Sequence, residues 1–171
     1  MNLIPHPDTP PLAVSSIEAT IWREGDRWHV RYLLDGTSRL ILPEPVEPSR
    51  ADELWQSTCF EAFVSSGDQA YAEYNFSPSG QWAAYAFDGP RQGMHNADEN
   101  IEVWLEGGAD WIAVEAAVSA NLASGSAIGL TAVIEEEDGT KSYWALAHPA
   151  NGHNAPPDFH DPSCFLARLP E

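Results

Sequence analysis

Lysine is almost missing from this chain: Lys141 is the only one in 171 residues, and Lys and Arg together number 8 against 26 Asp and Glu, a formal net charge of -18. Such a surface repels phosphate polyanions and anionic headgroups, and no basic stripe interrupts it, so neither nucleic acid nor a membrane is an expected partner. The excess acid reads as solubility. Cysteine is scarce too, with Cys59 and Cys164 the only two. Two thiols make no disulfide framework, and each precedes a phenylalanine, so both are expected to be free, buried small hydrophobes. No segment approaches the roughly 20 apolar residues of a spanning helix. The first fourteen residues hold four prolines but neither a basic start nor an apolar run. They are not expected to be a signal peptide, and the expected location is cytoplasmic.

Helical periodicity is thin as well. Only 48–54 could make a turn, with Ser49 as its cap. What remains is dense in apolar residues, 43% with seven tryptophans, and that is enough for one packed core. The expectation is a single domain over 1–171, its first 14 residues a proline-rich segment.

The dominant period is two. Trp28, Val30, Tyr32 and Leu34 alternate with His29, Arg31 and Leu33, and Phe60, Ala62 and Val64 alternate with Cys59, Glu61 and Phe63. Further strands are expected at 17–24, 39–42, 71–77, 82–87, 101–106, 111–119, 127–135, 142–147 and 165–169. About ten strands, separated by turn pairs such as Asp138-Gly139, predict an all-β, two-sheet antiparallel sandwich. Residues 43–48 and 148–162, with three and four prolines, are expected to be loops.

Candidate chemistry is sparse. His148, His153 and His160 lie near Asp158 and Asp161, but their spacing matches no zinc pattern, and no EF-hand loop supports calcium. No Gly-x-Ser-x-Gly or phosphate-cradling loop occurs. Carboxylates are the better signal, since alternation places Glu61 on the face of Cys59 and Phe63, and Glu73 on the face of Tyr71 and Asn75. Adjacent strands would bring Glu61, Glu73 and Asn75 to one surface. Two carboxylates could hydrolyse a glycoside, or could accept hydrogen bonds from sugar hydroxyls without chemistry. Trp55 and Trp144, near loops, are candidate stacking faces as well as candidate core, and Arg91 is a candidate polar partner. Trp22, Trp28, Trp104 and Trp111 are expected in the core.

Leu54-Trp55-Gln56-Ser57-Thr58-Cys59-Phe60-Glu61-Ala62-Phe63 and Tyr71-Ala72-Glu73-Tyr74-Asn75-Phe76-Ser77-Pro78-Ser79-Gly80-Gln81-Trp82 resemble the DOMON-like domains related to family 9 carbohydrate-binding modules. Tyr143-Trp144-Ala145-Leu146-Ala147-His148-Pro149 and Pro157-Asp158-Phe159-His160-Asp161 resemble a bacterial stand-alone subgroup. The resemblance implies an immunoglobulin-like sandwich that binds a carbohydrate or sugar-like small molecule and is not an enzyme. Trp55 and Trp144 would be two facing rings, with Glu61, Glu73, Asn75 and Arg91 as polar partners and no cofactor or metal. Pro90 stands where that pattern expects an aromatic. Related domains hold haem through a methionine and a histidine, which would here be Met94 with His95, His148, His153 or His160. Two further readings are a carboxylate-dependent glycoside hydrolase and a ligand-free interaction domain; oligomeric state is left open.

Overall fold

The computed structural model describes residues 1–149 and 156–171. Alternation builds twelve strands: β1 (Ile4–Pro5), β2 (Ser16–Glu24), β3 (Arg27–Asp35), β4 (Cys59–Ser65), β5 (Tyr71–Phe76), β6 (Trp82–Phe87), β7 (His95–Asn96), β8 (Asn100–Gly107), β9 (Trp111–Ser119), β10 (Ala127–Glu135), β11 (Lys141–Ala145) and β12 (Ala167–Arg168). An eight-stranded sheet runs β1-β11-β10-β4-β5-β6-β7, with β12 also on β10, and a four-stranded sheet runs β2-β3-β9-β8. Every pairing between these strands is antiparallel. The two sheets form the expected sandwich.

One set of alternates from each sheet fills the space between them. Trp28, Val30, Tyr32 and Leu34 of β3 share a core with Phe60, Ala62 and Val64 of β4 and with Tyr74 and Phe76 of β5. Each large apolar side chain buried this way contributes about 1.5–3 kcal/mol. Trp28 meets Tyr74 edge-on at 5.3 Å, and Tyr32 packs on Phe60 at 5.0 Å. The Tyr32 hydroxyl donates to the Glu61 carbonyl oxygen at 2.6 Å. That bond satisfies a buried hydroxyl and ties the four-stranded sheet to the strand carrying Glu61.

The outer face of the eight-stranded sheet is also covered. Phe63, Tyr71, Ala83, Tyr85, Phe87 and Phe165 form a second apolar cluster there, with Leu54 and Phe159 packed against it. A Cβ on Gly129 would stand 2.7 Å from the Phe165 ring, so the missing side chain lets that ring lie on the strand. This covering buries both faces of the central strands, so that all six residues of β5 are buried, Glu73 and Asn75 among them.

Several expectations are corrected. Residues 39–42 are no strand: Leu40 makes one bridge to Glu136, and the prolines from Pro43 onward lack the donors a ladder needs. Residues 48–54 are no helix: Arg50 bridges Trp82 in parallel, the Ser49 hydroxyl bonds the Glu47 carbonyl, and the only helical turn there is 3-10, at Leu54–Gln56. The proline-rich N-terminus is integrated into the sandwich, because the Glu136 carboxylate accepts hydrogen bonds from the backbone N–H groups of Leu12, Ala13 and Val14 at 2.6, 2.6 and 3.1 Å. Trp104 and Trp111 are 46% and 36% exposed and Trp22 stacks on His29 at 5.0 Å, which leaves Trp28 as the core tryptophan of that group of four.

Candidate functional site

Strand register brings the acids together. On the outer face of the eight-stranded sheet Glu61 stands between Thr131 of β10 and Asn75 of β5, while Glu73 stands between Phe63 of β4 and Tyr85 of β6. Glu61, Glu73 and Asn75 therefore share one surface, as alternation requires, and are only 3%, 7% and 1% exposed. A buried carboxylate needs partners, and these have them. Thr131 Oγ1 donates to Glu61 Oε2 at 2.9 Å, and Asn75 Nδ2 donates to Glu73 Oε1 at 2.8 Å.

Burial governs the protons of the pair. Loss of water, and then the nearby Glu73 charge, pushes Glu61 up to about 8, against which the Thr131 hydrogen bond works weakly. Burial also raises Glu73, opposed by the Asn75 amide and the Arg91 guanidinium. Near neutral pH Glu61 is thus a carboxylic acid that can donate as well as accept. Two carboxyl groups beside an amide and a hydroxyl make a varied hydrogen-bonding floor.

An imidazole closes one side of it. The Arg91 backbone N–H donates to the Tyr71 hydroxyl at 3.2 Å, and that hydroxyl is hydrogen-bonded to His160 Nδ1 at 2.6 Å, an arrangement in which the tyrosine can serve as donor to the ring. A neutral His160 then carries its proton on Nε2, which lies 3.9 Å from Glu73 Oε2. Burial, followed by the Arg91 charge, pushes His160 down to about 4, consistent with the neutral ring. The Arg91 guanidinium is held at 2.9 Å by Asp158.

Other predicted residues fall differently. Trp55, on the 3-10 turn beside β4 and β5, is 51% exposed and offers an open indole. Trp144 belongs to the inter-sheet core at 3% exposure, with its Nε1 donating to Ser142 Oγ at 2.9 Å. Its parity on β11 turns it inward and leaves Tyr143 on the outer side, 6.1 Å from Phe159. The expected pair of facing indoles is not formed. Met94 is 62% exposed. His148 lies edge-on to His6 at 4.9 Å, and His153 lies outside the described residues. Among the described residues no three His, Cys, Asp or Glu side chains converge on a metal position. Cys59 and Cys164 are free and buried.

Three contributors went unassigned at the level of sequence, and a fourth, His160, is a candidate there only as a metal or haem ligand. Tyr71 and Thr131 share the parity of the acids and could have been found from it. The Tyr85 hydroxyl donates to Asp52 Oδ1 at 2.7 Å beneath the Arg50 guanidinium, which sits 5.2 Å from the ring centre. His160 arrives from a proline-rich loop, and no local pattern announces its position.

No family profile and no well-described protein matches the chain by sequence. By structure it is similar to a "putative carbohydrate-binding protein" from Bacteroides uniformis, with a TM-score of 0.61 and 15% identity over 92% of this chain and 78% of that one. At that identity the likeness establishes the shared fold.

Proposed function

We propose that this domain binds a carbohydrate or sugar-like small molecule without chemistry, through the outer face of its eight-stranded sheet. The observation that carries the reading is a polar group set where a packed sheet face would ordinarily be apolar: Glu61, Glu73, Asn75 and Thr131 in neighbouring register positions, with the half-exposed Trp55 on the 3-10 turn next to β4 and β5. Sugar hydroxyls pair with carboxyl, carboxylate and amide groups, and the C–H face of a pyranose rests on an indole. Arg91, beside Glu73, adds a donor at the rim. The DOMON-like resemblance and the Bacteroides uniformis neighbour's description point the same way.

Because the acids are so little exposed, a ligand reaches them by displacing the turn at Leu54–Gln56 or the segment carrying His160. Trp55 is the first surface it meets. Calorimetric titration with neutral, amino and acidic mono- and disaccharides tests the proposal. Saturable heat with one class, weakened about threefold to tenfold by Trp55→Ala, is expected. Silence across the whole panel contradicts it.

A further inference from the structure

Sheet edges expose unpaired N–H and C=O groups that recruit other strands, so folded proteins usually cover them. Among the described residues, three of the four edges are covered at least in part. The Met1 carbonyl accepts from Ala19 N–H at 2.7 Å and Leu3 N–H reaches the Ile17 carbonyl at 2.9 Å, which blunts β2. β1 lies along β11. β6 is flanked by β7 and by residues 49–51, through Trp82 N–H to the Ser49 carbonyl at 3.1 Å and Ala51 N–H to the Trp82 carbonyl at 2.9 Å.

β8 is the exception. It ends the four-stranded sheet, runs for eight residues without proline or lysine, and among the described residues no strand pairs with its outer side. It also carries apolar side chains in solvent, Trp104 at 46% and Leu105 at 40% exposure. Its two glutamates are already compensated: Arg27 bonds Glu102 at 3.0 Å, and Arg31 bonds Glu106.

We infer that β8 pairs antiparallel with β8 of a second copy of this chain, joining two four-stranded sheets into one of eight across a two-fold axis. Antiparallel pairing of identical strands is self-complementary. A register centred on Val103 sets Ile101 against Leu105 of the second copy and Glu102 against its Trp104, so no two acids lie directly opposite. The arginine pairing of Glu102 and Glu106 removes local charge that would otherwise keep two copies apart. The remaining repulsion between chains of net charge -18 is long-ranged and screened by salt.

Sedimentation velocity of the full chain over a concentration series, at low and high salt, tests the inference. The expected result is a monomer–dimer equilibrium with a dissociation constant on the order of 10 µM that tightens with salt. Leu105→Lys and Trp104→Lys, both at exposed positions, should each weaken it at least about tenfold while leaving the circular dichroism and melting temperature of the monomer unchanged. Amide exchange along β8 should slow as protein concentration rises. A chain that stays monomeric at high salt, or a dimer that neither lysine weakens, overturns the proposal.

Discussion

The Thr131 hydroxyl donates to Glu61 Oε2 across the β10–β4 ladder at 2.9 Å, and it is the one side-chain bond that favours the charged form of a carboxyl raised to about 8. Ionising Glu61 in the fold carries a cost, set by burial and the Glu73 charge, that this bond offsets only in part. In the unfolded chain its ordinary value is 4.5. Between that value and about 8 the folded state holds a proton that the unfolded state has lost, so stability falls as pH rises through this window.

Glu61→Gln should flatten that slope. The side chain keeps its shape and its contact with Thr131 but loses the ionisation. At pH 9 the variant is expected to melt higher than the parent, with the difference vanishing near pH 4. The slope it removes is at most about 1.4 kcal/mol per pH unit. Thermal melts from pH 4 to 9 measure it.

His160 works in the opposite sense. Its folded value near 4 lies below the ordinary 6.5, so the unfolded chain binds the extra proton first and stability is lost as pH falls from 6.5 toward 4. His160→Phe should remove that acid-side loss, and Tyr71→Phe should release the ring from its fixed tautomer. Imidazole nitrogen shifts read out the tautomer: Nε2–H in the parent, a mixture in Tyr71→Phe.

Trp55 and Trp144 should separate cleanly. Trp144→Ala opens a cavity between the sheets and is expected to cost about 3–5 kcal/mol in denaturant unfolding. Trp55→Ala touches a half-exposed ring and is expected to change stability by less than about 1 kcal/mol. Only the second keeps the fold while removing the open indole.

The N-terminus is the fourth test. Glu136→Ala leaves the N–H groups of Leu12, Ala13 and Val14 without their acceptor, and charge-assisted bonds of this kind contribute about 1.5–3 kcal/mol each. A loss of several kcal/mol is expected, together with faster proteolysis before Ser16.

Period-two alternation carried most of the fold and the convergence of Glu61, Glu73 and Asn75, because parity alone assigns residues to faces. It failed where parity could not choose. On β11 both Tyr143 and Trp144 are aromatic, and only the pairing with β10 decides that Trp144 turns inward. Trp104 was legible: it shares parity with Glu102 and Glu106, while Ile101 and Val103 take the core side, yet its size alone suggested burial. Residues 39–42 looked like a strand by composition, but pairing partners, not propensity, make a strand. Glu136 gave no local sign of its role, since its three donors lie more than 120 residues earlier in the chain.

A sugar-like guest is expected to enter over Trp55 on the outer face of the eight-stranded sheet. The seven indole N–H resonances of the chain report on that entry directly during titration with a saccharide found by calorimetry. The Trp55 resonance should move with saturation while those of the buried Trp28 and Trp144 stay in place. Shifts confined to Trp104 and Trp111, on the other sheet, or no shift at all, would contradict the account.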